Sequence, residues 1–142
     1  AVARDPRVTR QAYYTMTFVY DGHRADGLSK DAYASALCAE GCYLGGTYPP
    51  VYRAPLMNLY DRTSPVPFRD QGLLQDYRAL KLPNVERAVA ETALLMGHAA
   101  LLGDSEYIDS LLHAVEKVND AIPALIAAQP AKLQTAAARK SA

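Results

Sequence analysis

The sequence predicts a compact α+β domain, a small antiparallel sheet of about three strands with helices packed on one face. Three observations lead there. Residues 13–20, "YYTMTFVY", alternate, with Tyr14, Met16, Phe18 and Tyr20 on one face and the mostly β-branched Thr15, Thr17 and Val19 on the other. Residues 104–122 put Ile108, Leu111, Leu112, Val115, Val118 and Ile122 on one helical stripe. Between these, short strand-like and helix-like runs are separated by turn chemistry, giving the order β-α-β-loop-α-β-α.

The first strand ends at Asp21-Gly22, a turn pair. A helix follows over Leu28 to Gly41. Ser29 suits its N-cap, and Asp31 suits the positive end of its dipole. Leu28, just before the cap, can staple onto Tyr33, while Tyr33, Ala36 and Leu37 form the apolar stripe and Gly41 stops the helix. A short second strand is expected over Cys42 to Thr47, then a proline-tyrosine loop. Residues 49–80 are irregular by composition. They include a helical turn over Pro55 to Leu59, the loop "RTSPVPFRDQG" and a short helix in "LLQDYRAL". Pro83 opens a second main helix running to Met96, and "LLMGHAALLG" reads as a third strand or extended turn ended by Gly103. Asp104 caps the last helix, and Pro123 kinks or ends it. Beyond Pro130 no apolar face remains, so a domain over residues 1–129 is expected to be followed by a disordered tail over 130–142.

Composition narrows the function classes. The chain of 142 residues is long enough for one domain, and one of this size buries roughly 68–70% of its unfolded surface. Fifteen basic residues balance fifteen acidic ones, which gives no electrostatic reason for nucleic-acid or anionic-membrane binding. "ALLMGHAALLG" is far shorter than the roughly 20 apolar residues of a membrane span and reads as core. No signal peptide opens the chain. Cys38 and Cys42 are read as reduced, in a cytoplasmic protein, with Cys38 in core packing. Two cysteines and three dispersed histidines provide no metal cluster. "AVARDPRVTR" begins abruptly, without methionine, as if the chain were the back end of something longer.

No Gly-rich phosphate loop, GxSxG elbow or motif-flanked thiol is present. Lys30, Lys117, Lys132 and Lys140 fall on helix faces or the tail, where water keeps them charged, and Lys81 reads as solvated too. His113 reads as structural and His23 as exposed; His98 reads as hydrogen-bonded and half-buried. The best binding candidates lie in "GGTYPPVYRAPLMNLY", Gly45 to Tyr60, an acid-free stretch. Pro49, Pro50 and Pro55 restrict its backbone, which partly preorganises Tyr48, Tyr52 and Arg53. A phenol offers a hydroxyl to a polyol and a ring face to its carbon skeleton, while a guanidinium meets a carboxylate or phosphate. A rigid surface loop packing its own tyrosines would look the same in sequence.

The order of parts resembles the C-terminal small domain of the DegT/DnrJ/StrS-type aminotransferases, which depend on pyridoxal phosphate (PLP) and act on keto-sugars and keto-cyclitols. An extended segment, a helix ending in "xEGI", a "HYxPxHxxP"-like loop and "LPxAERxxxE" correspond here to "YYTMTFVY", "ALCAEGCYLGG", "TYPPVYRAP" and "LPNVERAVAETALLMGHAALLG". The likeness covers roughly residues 10 to 122, and "GHAALLGDSEYIDSLLHAVEKV" looks most like the StsC-type cyclitol branch. Tyr52 stands where many members have histidine, and Thr47 where the motif begins with another; both fit a ketone other than a sugar nucleotide. The resemblance implies the C-terminal-domain fold of fold-type I PLP transferases, with PLP and its lysine held by a large domain absent here. The implied enzyme is a homodimer that moves nitrogen from glutamine or glutamate to the ketone. Tyr48 and Tyr52 would line the substrate, with Arg53 and His98 nearby. A free-standing α+β ligand-binding or regulatory domain and a plain interaction module are the other readings of the sequence.

Overall fold

A computed structural model describes residues 5–10, 12–57 and 77–128. Its sheet has three antiparallel strands in the order β1-β3-β2, with β1 Thr15–Val19, β2 Gly45–Gly46 and β3 Ala93–Gly97. Among the described residues the α-helices are α1 Lys30–Ala39, α2 Pro83–Arg87, α3 Ser105–Asp120 and α4 Ile122–Ala128. The α+β expectation therefore holds, with the sheet as small as anticipated.

Register explains which face is covered. Phe18 lies opposite Leu94 and Met16 opposite Met96, so these four share the face that carries the core. Leu94 and Met96 are buried against Leu37 of α1 and Leu111, Ala114 and Val118 of α3. Thr15, Thr17 and Val19 take the opposite face, where Val19 is 82% exposed. The ladder continues past β1 at both ends, through Tyr20 N–H to the Thr92 carbonyl and His98 N–H to the Tyr14 carbonyl. Tyr20 then turns inward. Its hydroxyl donates to the Leu28 carbonyl at 2.7 Å, and its ring lies 5.1 Å from that of Tyr33. Burial pushes its pKa up to about 12.

Capping fixes α1 at both ends. Ser29 Oγ accepts from Ala32 N–H at 3.2 Å. At the other end Cys42 N–H donates to the Leu37 carbonyl and Gly41 N–H to the Cys38 carbonyl, the two bonds of a Schellman motif. Gly41 holds φ +86, a left-handed conformation that only glycine takes without cost. The motif brings Leu37 and Cys42 together, both fully buried. Both cysteines are free, as the sequence reading expected, and Cys38 Sγ donates to the Leu44 carbonyl.

Four expectations need correction. The second main helix does not reach Met96. It is α-helical only to Arg87, runs through a wider π turn over Ala88–Thr92 and passes straight into β3. The alternation of buried Leu94 and Met96 decides for strand, since β3 is hydrogen-bonded on both sides. Lys30 is not on a solvated face. It is buried, and its ammonium donates to the Val89 carbonyl at 2.5 Å, one of the acceptors left at the end of the π turn. Leu112 is 57% exposed, and Ala114 takes its place in the stripe between Leu111 and Val118. His113, read as structural, is 81% exposed beside Glu116.

The remaining helix signals hold. Asp104 accepts from Tyr107 N–H at 2.9 Å, and Pro123 is the second residue of α4, two positions after the break at Ala121. Tyr107 also lies over Gly103 so closely that a Cβ there would clash with its ring. Among the described residues no helix is long and apolar enough to cross a membrane. The "RTSPVPFRDQG" loop, the first half of "LLQDYRAL" and the tail over 130–142 lie outside the described residues, while Tyr77–Ala79 form a 3₁₀ turn.

Candidate functional site

The proline-tyrosine loop leaves β2 and forms two tight 3₁₀ turns, Val51–Arg53 and Pro55–Met57. Prolines bracket each turn: Pro50 precedes the first, Pro55 opens the second, and Arg53 N–H donates to the Pro50 carbonyl at 2.8 Å. Tyr48 precedes both turns, whereas Tyr52 and Arg53 lie within the first.

Tyr48 is 66% exposed, and its hydroxyl lies 3.4 Å from that of Tyr14. This contact holds the Tyr48 pKa above the usual phenol value. Tyr14 in turn carries His98. The His98 ring nitrogen Nδ1 lies 3.1 Å from the Tyr14 carbonyl, and the two rings are 6.3 Å apart. Tyr14, Tyr48 and His98 thus form one solvent-facing polar-aromatic cluster at the end of the β1-β3 ladder. His98 is more exposed than the half-buried residue the sequence suggested.

Tyr52 and Arg53 meet a different partner. The Tyr52 hydroxyl and Arg53 Nη2 both donate to Oε1 of Glu86, each at 2.6 Å. The guanidinium carbon also lies 5.6 Å from the centre of the Tyr52 ring. The Tyr52 hydrogen bond, helped by Arg53, holds the Glu86 carboxyl below its ordinary range, and the same bond raises the Tyr52 phenol. Glu86 is placed by α2, whose first position is Pro83 and whose Glu86 N–H donates to the Leu82 carbonyl at 2.9 Å. Among the described residues no hydrogen bond, ion pair or ring contact joins this group to the Tyr14 cluster.

The structure therefore pairs Tyr48 with His98 through Tyr14, and Tyr52 with Arg53 through Glu86. Tyr14 and Glu86 are the residues that reading the sequence passed over. Tyr14 was visible as a strand residue, and Glu86 sits in "LPNVER", but the partners of Tyr14 are 34 and 84 positions away and those of Glu86 33 and 34. A separate concavity of about 640 Å³ opens between the end of β1 and the helices, lined by Tyr20, Asp21, Arg24, Tyr33 and Asn119. None of Tyr48, Tyr52, Arg53 or His98 lines it.

A lysine that bonds an aldehyde cofactor must be held desolvated with its amine free. Lys30 is buried but its ammonium is spent on the Val89 carbonyl, Lys117 pairs with Glu40 at 2.6 Å, and Lys81 is exposed. The described residues do not fit covalent PLP, and among them no group of three or more His, Cys, Asp or Glu could hold a metal ion.

No family model matches the chain. Three relatives do, each described provisionally as an L-glutamine:3-amino-2,3-dideoxy-scyllo-inosose aminotransferase. One, from Streptomyces kanamyceticus, is 35% identical over 118 residues, 82% of this chain and 28% of its own length. Another, from Micromonospora echinospora, is 34% identical over 126 residues, 87% of this chain and 30% of its own. The third, from Streptoalloteichus tenebrarius, is 34% identical over 124 residues, again 30% of its own length. The likeness to cyclitol aminotransferases drawn from the motifs is thus met along most of this chain, which spans less than a third of theirs.

Proposed function

We propose, with homology to the cyclitol aminotransferases as the premise, that this chain is the small C-terminal domain of an enzyme that aminates a keto-cyclitol or related keto-sugar. Glutamine or glutamate donates the nitrogen. The observation that carries the reading is the match at 34–35% identity over 82–87% of the chain to proteins whose names specify that chemistry. The PLP that such transfer uses supplies the electron sink. It would be held by a large domain outside this chain, since the lysines described here are engaged or solvated.

The contribution of this chain is recognition. Tyr48 and Tyr14 present adjacent phenols, which suit neighbouring hydroxyls on a cyclitol ring, and His98 adds a polar edge. Tyr52 is oriented by Glu86 with its ring only partly covered, so it serves as a wall more than as a donor. In this reading the domain shapes the ketone side of the site in a cytoplasmic homodimer.

The test is an amination assay on the complete enzyme that carries this chain, with glutamine as donor, comparing scyllo-inosose with a nucleotide-linked keto-sugar. Turnover of the cyclitol is expected. The 142-residue chain alone, incubated with PLP, is expected to show no lysine-bound cofactor by absorbance. Failure to aminate any cyclitol ketone, or covalent PLP on the isolated chain, overturns the reading.

A further inference from the structure

We propose that His98 is a substrate-binding residue locked in one tautomer: the Tyr14 carbonyl holds its proton on Nδ1, and the free Nε2 lone pair accepts a hydrogen bond from a hydroxyl of a polyol ketone. The inference rests on the reading of the Tyr14-Tyr48-His98 cluster as part of the substrate wall. It adds the direction of one hydrogen bond and the kind of ring position that can make it.

His98 follows Gly97, the last residue of β3, and Tyr14 lies one residue before β1. Both donors of His98 meet one acceptor. The backbone N–H donates to the Tyr14 carbonyl at 3.3 Å, and ring Nδ1 lies 3.1 Å from the same oxygen. A carbonyl has two lone pairs and no proton, so the proton of the ring contact comes from Nδ1. A neutral imidazole carries a single N–H. With that proton on Nδ1, Nε2 is left as an acceptor. A solvated imidazole favours the opposite arrangement, so the fold imposes this one. The backbone half of the clamp extends the β1-β3 ladder, in which Thr15 lies opposite Gly97, so the sheet itself sets the position of the ring. Among the described residues no hydrogen bond engages Nε2, and His98 is exposed.

The phenols of the cluster supply the complementary half. The Tyr14 and Tyr48 hydroxyl oxygens are 3.4 Å apart. At most one proton lies between them, so the other O–H is left to donate outward. The cluster therefore offers a donor and an acceptor together. Adjacent hydroxyls on a cyclitol ring satisfy both, because each can donate and accept. A deoxy or O-alkylated position brings no proton to Nε2 and leaves the acceptor unpaired.

The experiment has two arms. The first reads the tautomer of the 142-residue chain by long-range proton–nitrogen NMR at about pH 8.5, where an ordinary imidazole is neutral. The chain has three histidines, and His98→Asn identifies the His98 signals by their loss. Nδ1 is expected to carry the proton and Nε2 the lone pair. The second arm measures KM and kcat for scyllo-inosose on the complete enzyme that carries this chain. His98→Asn keeps an amide N–H near the Nδ1 position and places nothing at Nε2. It is expected to raise KM about fivefold, the loss of one neutral hydrogen bond, with kcat changed by less than about twofold. His98→Gln places an amide oxygen near the Nε2 position and is expected to recover most of that loss. A residue that only tethers Tyr14 predicts the reverse order, since Asn keeps the tether and Gln gives it up.

An Nε2–H imidazole in the unaltered chain overturns the proposal. So does a KM that His98→Asn leaves unchanged, or a larger rise with Gln than with Asn. The tautomer is read without turnover. An unaltered enzyme that aminates no cyclitol while His98 holds Nδ1–H therefore defeats the functional reading, and the hydroxyl partner with it, as a result separate from the NMR outcome.

Discussion

The helix-packed core and the proline-tyrosine loop are built on different principles. On the helix side, Leu37, Cys42, Leu94, Met96, Leu111 and Val118 exclude water, and capping bonds close the ends of α1 and begin α3. On the loop side, Tyr48 is 66% and Arg53 56% exposed, and order comes from hydrogen bonds converging on Tyr14 and Glu86. Apolar burial at roughly 25 cal/mol per Å² supplies stability where water is excluded. Polar contacts at the surface supply little net stability but fix direction. Folding rests on the helix side, recognition falls to the loop side only under the proposed function, and each half of that division can be attacked.

The largest expected effect is on the helix side. Leu37→Ala removes a fully buried side chain between α1 and the sheet, and is expected to destabilise by about 2–5 kcal/mol in urea unfolding. A loss below about 1 kcal/mol would mean that the helix side is not the source of stability. Alkali comes next, on the order of 2 kcal/mol. The Tyr20 phenol is raised from 10.0 to about 12 in the fold. Its stabilisation is fully present below pH 10 and is lost as pH rises toward 12, where the unfolded chain releases the proton first. Unfolding midpoints measured across that window are expected to fall, and Tyr20→Phe to flatten the fall. Gly41→Ala follows at about 1–2 kcal/mol, all of it backbone strain, because a Cβ there would meet nothing within 4 Å among the described residues.

The smallest stability effect is expected on the loop side. Tyr48→Phe, at a residue 66% exposed, should leave the urea midpoint of unfolding essentially unchanged. Under the proposed function it should raise KM for a cyclitol ketone about fivefold, the loss of one hydrogen bond. A Tyr48→Phe chain that unfolds as easily as Leu37→Ala would erase the division between the two sides.

Legibility in the sequence followed the range of the contacts. The N-caps Ser29 and Asp104 and the stop at Gly41 were readable because each is satisfied within about one helical turn. The alternation of β1 was readable for the same reason. The boundary between α2 and β3 was not. Residues 88–96 are mostly apolar or small, and such a run suits either period until a strand is known to lie on each side of it. The burial of Lys30 depends on a carbonyl 59 positions away, and the usual habit of lysine points the other way. In the site, the proline-tyrosine composition marked the loop and its exposed residues. It could not show that Tyr52 and Arg53 share one carboxylate oxygen, or that Tyr14 bridges Tyr48 to His98, because both facts come from segments brought together by the fold.

Strand β2 consists of two glycines at the margin of the sheet, and a methyl group on either would touch nothing among the described residues. Its outward rung therefore has no overhanging side chain to keep a second extended segment from lying alongside, the profile at which open sheets recruit neighbours. Alanine at Gly45 or Gly46 leaves internal packing intact, so light scattering of those two variants would report self-association with the folded architecture held constant.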